Sequence, residues 1–399
     1  MIIIRNFIIE KIKKVADHCY YKKVKKISEV TNVLSLFILI FSFFISCAKY
    51  ESDYAVSQAL VIYLTGSRVF QLADPPYSLS TTLSNEKGAA DLDGVGENAS
   101  FVFLASIQYF NNSLYIIDNT RRIYPKLKTL NPTTKELTTI GTLTTNKPIV
   151  DMALTADGHF FLANDRIFYF SILSEVAKGT PTKTTTFINP TNENINFLKL
   201  NVDITKKNIY LLNKCKIYKY SYNDLPSSIT PSIAFYTYPG CGFTSTNTIT
   251  INNFGLDETD NLYVCQSIYL QKVNSDGSLS TLFSNYIYEQ YGNLGCYLNN
   301  KEIFFVGKQD KIGDFVIQFP VNRLYKVNLS TSKVNLLAGG VASLTNSDSR
   351  DGVGTFSGFA QIQKMTFDTE GNIYFIDNKS DYNSINQTLI QKIRKATKL

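Results

Sequence analysis

Apolar and polar positions alternate along this chain in a pattern that occurs six times. Each copy begins with two apolar residues one position apart, continues through a polar turn, and ends in a short apolar run that contains an aromatic residue. Alternation with a period of two is typical of a half-buried strand, and the Asn, Asp and Gly of the turns suit tight hairpins. Each copy therefore predicts an antiparallel hairpin. The six aromatics are Tyr115, Phe161, Tyr210, Tyr263, Phe304 and Tyr374.

Two further short strands follow the hairpin in most copies, and no helical periodicity accompanies them. Four short strands per repeat are typical of a β-propeller blade. The last copy has only one further strand, Leu389–Lys395, before the chain stops. We expect Tyr77–Ser84 to supply its missing fourth strand, which would remove two sheet edges. The prediction is an all-β, six-bladed propeller closed by an N-terminal strand. A seven-bladed ring is the alternative, because residues 59–66 and 67–73 also have strand patterns.

The first and last copies carry additional motifs. Residues 336–399 contain a DGVG turn, an apolar strand, a GNIYFID segment and an IRK segment, and this arrangement resembles NHL-repeat β-propeller proteins. The first copy matches through DGVGENASF (Asp93–Phe101) and LYIIDN (Leu114–Asn119), whereas the four middle copies lack the DGxG turn. The resemblance implies an NHL-like propeller over residues 67–399. We interpret the Asp–Gly pairs as turn residues, with ion binding as the alternative. The matching residues of the last copy are Asp351, Gly352, Gly354, Phe359, Gly371, Asn372, Tyr374, Asp377, Ile393 and Arg394.

Residues 1–46 belong to a different class of sequence. They carry eight Lys and Arg against three acids, and they include a thirteen-residue apolar run, Val33–Ile45. A bilayer span takes about twenty apolar residues, whereas a basic head before a shorter apolar core is typical of a secretory signal. The run leads into FISC, residues 44–47, which resembles the lipobox of bacterial lipoproteins, with Phe in place of the usual Leu. We predict a lipoprotein signal over 1–46, a lipid on Cys47 and an anchor or linker over 47–66.

An uncleaved membrane anchor and a secretory signal without lipid are the two alternatives for this N-terminal segment. The lipoprotein prediction implies a location in the bacterial cell envelope, at the outer membrane or the cell surface. The membrane would then be contacted through acyl chains.

The charge of the chain is concentrated in this segment. The whole chain has a formal net charge of +7, but residues 47–399 contain 32 bases and 30 acids. Nucleic-acid-binding proteins carry a basic patch or stripe, and no run of Lys or Arg stands out after residue 47. We therefore expect a propeller without a nucleic-acid partner. A monomer is the expected oligomeric state.

Four cysteines follow Cys47 in the sequence: Cys215, Cys241, Cys265 and Cys296. An exported protein can hold disulfides. Cys215 and Cys265 end predicted second strands, and the other two lie in or just after segments that lead into the next blade. Pairing of 215 with 241 and of 265 with 296 is a plausible prediction, although four cysteines allow three connectivities. Free buried thiols are the alternative. The spacings do not supply the close pairs of a zinc site.

Candidate catalytic groups are scarce. The chain has two histidines, of which His18 lies in the predicted signal and His159 in a predicted hairpin turn. We interpret His159 as a solvated turn residue, because one histidine provides neither a His-based metal site nor a redundant Ser–His–Asp triad. The sequence also lacks a Gly-rich phosphate-binding loop. We predict no catalytic residues and no cofactor.

One enzymatic alternative is a Ca²⁺-dependent hydrolase of the esterase or lactonase type. Some six-bladed propellers of that activity hold Ca²⁺ in the central channel, and calcium takes roughly six to eight oxygen ligands. Oxygen-bearing side chains follow the second strand in four copies, although such residues also commonly terminate strands. These candidate calcium ligands are Asp118, Asn164, Asn213 and Asp377.

The aromatic side chains of the third strands have two interpretations. Several of the 25 tyrosines lie on or beside predicted third strands, where exposed rings would suit contacts with protein or glycan. The favoured interpretation is that they are ordinary strand residues. We expect a lipid-anchored, non-catalytic propeller that binds a protein, peptide or carbohydrate through loops on one face, especially Gly307–Val321 and Val341–Gly358. The third-strand tyrosines are Tyr124, Tyr169, Tyr218, Tyr269 and Tyr325.

Overall fold

A computed structural model of the chain shows six β-sheets arranged as a six-bladed propeller. The chain divides into two units, Met1–Ser67 and Arg68–Leu399, and every described residue belongs to the second. The predicted signal, Cys47, the linker and residues 59–73 lie outside the described residues. The structure describes residues 77–86, 89–119, 124–143, 145, 147–155, 157–164, 166–187, 197–203, 207–213, 215–229, 235–239, 251, 253–257, 261–266, 269–284, 296–299, 301–312, 315–331, 333–339, 349–354, 357–380 and 389–399.

The first three blades follow one another along the chain. The first described strand, β1 (Tyr77–Ser84), belongs to the last sheet. Blade 1 contains β2 (Gly94–Val95), a 3₁₀ turn (Gly96–Asn98), β3 (Leu104–Phe110), β4 (Ser113–Asp118), β5 (Lys126–Leu130) and β6 (Glu136–Thr142). Blade 2 contains β7 (Asp151–Leu154), β8 (Phe160–Ala163), β9 (Arg166–Phe170), the helix α1 (Leu173–Lys178) and β10 (Lys183–Phe187). Blade 3 contains β11 (Phe197–Asp203), β12 (Asn208–Asn213) and β13 (Lys216–Ser221), after which β14 (Ser228–Ile229) pairs with blade 2 and β15 (Tyr236–Thr237) completes blade 3.

The last three blades repeat this arrangement. Blade 4 contains β16 (Asn253–Leu256), β17 (Leu262–Gln266), β18 (Tyr269–Val273) and β19 (Leu279–Ser284). Blade 5 contains β20 (Cys296–Asn299), β21 (Glu302–Ile312), β22 (Phe315–Asn328) and β23 (Lys333–Ala338). Blade 6 contains β24 (Gly352–Val353), β25 (Ile362–Phe367), β26 (Ile373–Ser380) and β27 (Leu389–Lys398).

The first strand of each blade lies at the centre of the ring. β3 contacts β7, β7 contacts β11, and the series continues through β16, β20 and β25 back to β3. This closed cycle surrounds a central channel. The face of the disc at which these six strands begin is called the upper face below, and the opposite face is called the lower face. Since neighbouring strands are antiparallel, the second strands end and the third strands begin at the upper face.

The N-terminal strand closes the ring, as the sequence predicted. β1 pairs antiparallel with β27, from Tyr77 opposite Lys398 to Ser84 opposite Lys392. The sheet order of blade 6 is therefore β25, β26, β27, β1 and β24. Six sheets form in the described part of the chain, which agrees with the prediction of six blades.

Hydrophobic packing holds neighbouring blades together. Six clusters of buried residues form, one between each pair of adjacent blades. The aromatic residue of each repeat lies in the cluster that its blade shares with the next blade. Burying one such ring stabilises the fold by roughly 1.5–3 kcal/mol relative to leaving it exposed. All six are 8% exposed or less: Tyr115, Phe161, Tyr210, Tyr263, Phe304 and Tyr374.

Left-handed backbone conformations appear at the turns where the sequence predicted tight hairpins. Asn111 and Asn112, which join β3 to β4, have φ of 46° and 59°, as a type I′ turn requires. The second glycine of each DGVG turn, Gly96 and Gly354, has φ of 56° and 54°. A side chain at either glycine would be strained by the backbone conformation alone.

Candidate functional site

The candidate calcium ligands Asp118 and Asp377 bind the backbone of their own blades. Asp118 is the last residue of β4 and is fully buried. It accepts hydrogen bonds from the N–H groups of Val102 and Phe103, at 3.1 and 2.8 Å. Burial raises the pKa of Asp118, although these backbone donors oppose the rise. Asp377 on β26 accepts from the N–H groups of Ala360 and Gln361. Both carboxylates therefore fix the loop that leads into their blade.

The other two candidate ligands are Asn164 and Asn213. Asn164 caps its own turn, because its side-chain oxygen accepts a hydrogen bond from the Arg166 N–H at 2.8 Å. Asn213 is the last residue of β12, and its side chain lies outside the described residues. Within the described ranges, no group of three or more His, Cys, Asp and Glu side chains is placed to hold a metal ion. The calcium site stays an untested alternative.

The DGxG turns of the first and last blades each hold a cluster of three polar residues, and each cluster is called a clasp below. The members are Asp93, Lys128 and Thr139 in blade 1, and Asp351, Arg394 and Thr81 in blade 6. In the blade 1 clasp, Asp93 accepts hydrogen bonds from the Thr139 N–H and hydroxyl, both at 2.8 Å, and from Lys128 Nζ at 3.0 Å. Thr139 lies on the fourth strand and Lys128 on the third. Burial alone would raise the pKa of Asp93, but these hydrogen bonds and the Lys128 charge hold it below the usual value.

The blade 6 clasp has the same geometry. Asp351 accepts from the Thr81 N–H and hydroxyl, both at 2.9 Å, and from Arg394 Nη2 at 2.9 Å. Arg394 also donates to Asp377 at 3.1 Å and to the backbone carbonyls of Arg350 and Gly358. The Asp–Gly pairs therefore bind side chains and strands of the fold, which supports their interpretation as structural residues.

A second group of polar side chains lies in the central channel, near the upper face. Asp151 is the first residue of β7 and is almost fully buried. Its carboxylate accepts hydrogen bonds from the Ser106 hydroxyl at 2.9 Å and from the Leu200 N–H at 3.0 Å. Lys364 Nζ lies 2.6 Å from the same carboxylate. These partners come from blades 1, 3 and 6, so Asp151 links two side chains and one backbone N–H group around the channel.

Lys199 and Tyr297 complete the channel cluster, which consists of Ser106, Asp151, Lys199, Tyr297 and Lys364. Tyr297, on β20, donates its hydroxyl to the Gln363 carbonyl at 3.0 Å. Burial raises the pKa of Tyr297, and the charge of Asp151 adds to the rise. Burial and repulsion by Lys364 lower the pKa of Lys199 to about 8, against the opposing attraction of Asp151. Five of the six blades thus contribute to the cluster.

Three large apolar side chains are exposed at the upper face of blades 1 and 2. Phe103 precedes β3, Tyr124 precedes β5 and Val150 precedes β7, with exposed fractions of 38%, 56% and 39%. Asn119 holds this region, because its N–H donates to the Phe103 carbonyl at 2.8 Å and its side-chain amide donates to the Ile149 carbonyl at 2.7 Å. The three residues are called the upper apolar patch below.

The remaining tyrosines of the third strands differ from Tyr124. Tyr218 and Tyr325 are buried, and Tyr169 packs against Phe161 with ring centroids 5.1 Å apart. They are strand and core residues, as the favoured interpretation had it. The side chain of Tyr269 lies outside the described residues.

His159 is more constrained than a solvated turn residue. Its Nδ1 lies 2.8 Å from the Tyr169 hydroxyl, and its Nε2 lies 3.3 Å from Asp157. The ring also packs against Tyr222, with centroids 5.2 Å apart. This group lies at the lower face, where the turn joins β7 to β8, so the histidine helps to join blades 2 and 3.

Cysteine pairing ties blade 4 to blade 5 at the upper face. Cys265 and Cys296 form a disulfide with Cα atoms 5.9 Å apart, and this is one of the two pairs considered from the sequence. Cys215 is also disulfide-bonded, while Cys241 lies outside the described residues.

Comparison with known proteins adds little to this geometry. No protein-family model matches the chain, and no curated protein matches it. A solved structure of luciferin-regenerating enzyme is similar, with a TM-score of 0.48 and 12% sequence identity, over 75% of this chain and 92% of that chain. At this level of similarity, nothing about ligand or activity follows for the present protein. Membership of the NHL-repeat family stays a prediction.

The channel cluster is the feature that the sequence interpretation missed. A weak signal was present, because Lys199 and Lys364 are charged residues within first strands that otherwise follow the apolar alternation. Residues so far apart in sequence are brought together only by ring closure. Among the described residues, no helix is long and apolar enough to cross a membrane.

Proposed function

We propose that the protein is a lipid-anchored, non-catalytic propeller that binds a protein or peptide on its upper face. The upper apolar patch supports this proposal most directly. Phe103, Tyr124 and Val150 are exposed at one face, and exposed apolar groups of this kind commonly mark interaction sites. Tyr and Phe also supply large contact areas with little loss of conformational freedom.

Loop fixation is the second argument for a binding surface. Asp118 binds the backbone before β3, and Asn119 binds both that backbone and the segment before β7. Both loops are therefore held in place before a partner arrives. Preorganised loops lose less conformational entropy on binding, which leaves more of the contact energy for affinity.

Binding can be tested with the full chain in a non-ionic detergent on peptide and glycan arrays. We expect peptide ligands whose affinity falls by at least about tenfold in a triple variant, Phe103→Ser with Tyr124→Ser and Val150→Ser, because buried aromatic anchors dominate interfaces. Ile172→Ser is the matched control, since Ile172 is 53% exposed at the lower face. Equal binding by the triple variant and the parent would overturn the proposal. Hits confined to glycans would replace the peptide with a carbohydrate.

Lipid anchoring at Cys47 is the second part of the proposal and has its own test. Radiolabelled palmitate should label the parent chain expressed in bacteria and fail to label Cys47→Ala. Several acyl chains together give stable membrane attachment, so the parent should sediment with envelope membranes. Equal labelling of both chains would show that Cys47 does not carry the lipid. The proposed location is the bacterial cell envelope, at the outer membrane or cell surface.

The rival function is a Ca²⁺-dependent hydrolase with its site in the channel. Lys199 and Lys364 place two positive charges beside the single carboxylate of Asp151 in the described part of the channel, and like charge repels a divalent cation. We therefore expect the melting temperature to be the same in Ca²⁺ and in EDTA. A rise in Ca²⁺ that saturates would favour the hydrolase.

A further inference from the structure

Of the two channel lysines, Lys364 has an ion-pair partner among the described residues and Lys199 has none. Lys364 Nζ forms an ion pair with Asp151 at 2.6 Å. Lys199 is the third residue of β11, and its ammonium group has no hydrogen-bond partner among the described residues. Lys199 is only half-buried, whereas Asp151 and Ser106 are buried. The residue therefore keeps part of its surface exposed, whereas burial of its ammonium group lowers its pKa.

Asp151 pairs with Lys364, and no hydrogen bond or ion pair joins it to Lys199 among the described residues. One of its oxygens accepts from Ser106, Lys364 and the Met152 N–H, and the other accepts from the Leu200 N–H. The cluster contains one carboxylate and two ammonium groups, which leaves one positive charge without a paired anion. A charge held away from bulk water is costly unless an opposite charge accompanies it.

Among the described residues, Asp151 is the anion whose charge acts on Lys199, and the neighbouring strands supply no second one. Tyr297 on β20 directs its hydroxyl to the Gln363 carbonyl, and burial keeps its pKa above the usual value. Asn253 on β16 donates its amide to the Cys296 carbonyl at 2.6 Å. On β7 and β25 the charged groups are Asp151 and Lys364. Among the described groups of this cluster, the ammonium group of Lys199 is thus the cation without a hydrogen-bonded anion.

We propose that the channel near the upper face binds a small oxyanion, a carboxylate or a phosphate-like group, through the ammonium group of Lys199. One unpaired cation suits a ligand with one anionic group. The groups that accompany Lys199 in the cluster, Ser106, Asp151 and Tyr297, are buried. This site is separate from the upper apolar patch, and it does not depend on the proposed peptide binding.

Calorimetric titration of the full chain with sodium acetate and with sodium sulfate tests the proposal. Both probes keep a constant charge above pH 6. We expect saturable binding by the parent and a loss of at least about tenfold in affinity in Lys199→Met, because a charge-assisted contact is removed while the apolar stem is kept. Lys178→Met is the matched control, since Lys178 is an exposed lysine on α1 and should bind as the parent does.

The dependence of affinity on pH gives an independent readout. Lys199 has its pKa lowered to about 8 by burial and by Lys364. The free protein therefore carries this charge fully only below that pH. Affinity should be constant from pH 6 to about 7 and should fall about tenfold per pH unit well above 8. An affinity that stays constant to pH 9.5 would overturn the proposal.

A spectroscopic measurement covers the case in which Lys199→Met does not fold. Reductive ¹³C-methylation of the parent gives each dimethyl-lysine its own NMR signal. One signal should titrate near pH 8, well below ordinary lysines at about 10.4, and should shift to a higher pKa in acetate or sulfate. Lys199→Arg, which keeps the charge, assigns the signal by its disappearance. A signal whose pKa is unmoved by both anions contradicts the site.

Discussion

Blades 1 and 6 contain the same clasp in two different chain contexts. In blade 1, Asp93 and Thr139 are 46 residues apart, within one continuous stretch of chain. In blade 6, Asp351 binds Thr81, which is 270 residues away. A tight turn joins β5 to β6, since the Lys135 N–H donates to the Asn131 carbonyl at 2.8 Å, whereas β1 and β27 come from opposite ends of the propeller. The clasp therefore has to hold two strands that no turn connects.

The cation of the clasp is a lysine in blade 1 and an arginine in blade 6, where the clasp holds two strands that no turn connects. Lys128 binds Asp91 and Asp93, whose side chains are 20% and 43% exposed. Arg394 binds Asp377 and Asp351, and both Arg394 and Asp377 are fully buried. The planar guanidinium reaches two carboxylates and two carbonyls at once, which an ammonium group cannot do in the same geometry. Blade 6 thus carries the more extensive clasp at the point of ring closure.

The largest effect should come from removing the closing strand. Deletion of Tyr77–Ser84 exposes the edge of β27 and removes the buried side chains of Tyr77, Leu79 and Leu83. Each buried side chain is worth about 2 kcal/mol, so the loss approaches the whole stability of about 5–15 kcal/mol. We expect the deleted chain to be largely unfolded or aggregated by circular dichroism and light scattering.

A deletion of residues 48–66 is the control, because it shortens the chain before the closing strand. It should melt as the parent does. A synthetic peptide with the sequence of residues 77–86 should partly restore the melting temperature of the chain that lacks Tyr77–Ser84. If that chain melts with the parent, β1 does not close the ring.

The next largest effect should separate the two clasps. Arg394→Met leaves Asp377 buried without its partner, and breaking a buried pair costs about 3–5 kcal/mol. Lys128→Met leaves two carboxylates that water can reach, so we expect a loss of only about 1–2 kcal/mol. Urea unfolding of both variants at pH 7 measures the difference.

Arg394→Lys is the control for charge. Lysine keeps the positive charge but lacks the planar guanidinium group, which donates to several acceptors at once. The unfolding free energy of Arg394→Lys should therefore lie between those of the parent and Arg394→Met. Equal losses for Arg394→Met and Lys128→Met would mean that the burial of Asp377 contributes nothing to the contrast between the blades.

Much of the fold was predictable because its causes are local. The alternation around Tyr115 and Tyr374 indicated hairpins, and the structure confirms them. The missing fourth strand of the last copy indicated β1, and the pairing of β1 with β27 confirms it. Both inferences need only strand periodicity and the avoidance of open edges.

The site was less predictable because its partners are distant in sequence. Asp118 and Asp377 stood at equivalent places, which suggested a ring of ligands, but position in a repeat does not fix the direction of a side chain. Both carboxylates instead bind backbone N–H groups a few residues before the first strand of their own blade. Lys364 and Asp151 meet over a separation of 213 residues, and no local pattern encodes that contact.

A smaller effect concerns the response of the blade 1 clasp to acid. The pKa values of Asp91 and Asp93 lie below the usual value: burial opposes this, but hydrogen bonds from Lys128 and other donors outweigh it. A lowered carboxyl pKa stabilises the fold above the unfolded value of about 3.9, and this contribution is lost as pH falls through the folded value. Lys128→Met should therefore lose less stability than the parent between pH 6 and pH 2.5.

The size of this acid effect is modest because both carboxylates are partly exposed and water screens them. We expect a difference of about 1 kcal/mol in the unfolding free energy at pH 2.5, compared with pH 6, between parent and Lys128→Met. Lys178→Met should follow the parent. An identical acid response of parent and Lys128→Met would show that Lys128 does not set those carboxyl pKa values.

The smallest expected effect compares the threonine hydroxyl hydrogen bonds of the two clasps. Thr81→Val and Thr139→Val each remove a hydroxyl hydrogen bond to the clasp aspartate, at 2.9 and 2.8 Å, and keep the backbone hydrogen bond. A partly exposed hydrogen bond of this kind contributes about 0.5–1.5 kcal/mol. We expect the two losses in unfolding free energy to agree within about 0.5 kcal/mol, with Ser at either position close to the parent. A loss confined to Thr81→Val would mean that the hydroxyl matters only where the ring closes, since in blade 1 the turn between β5 and β6 already holds the strands in register.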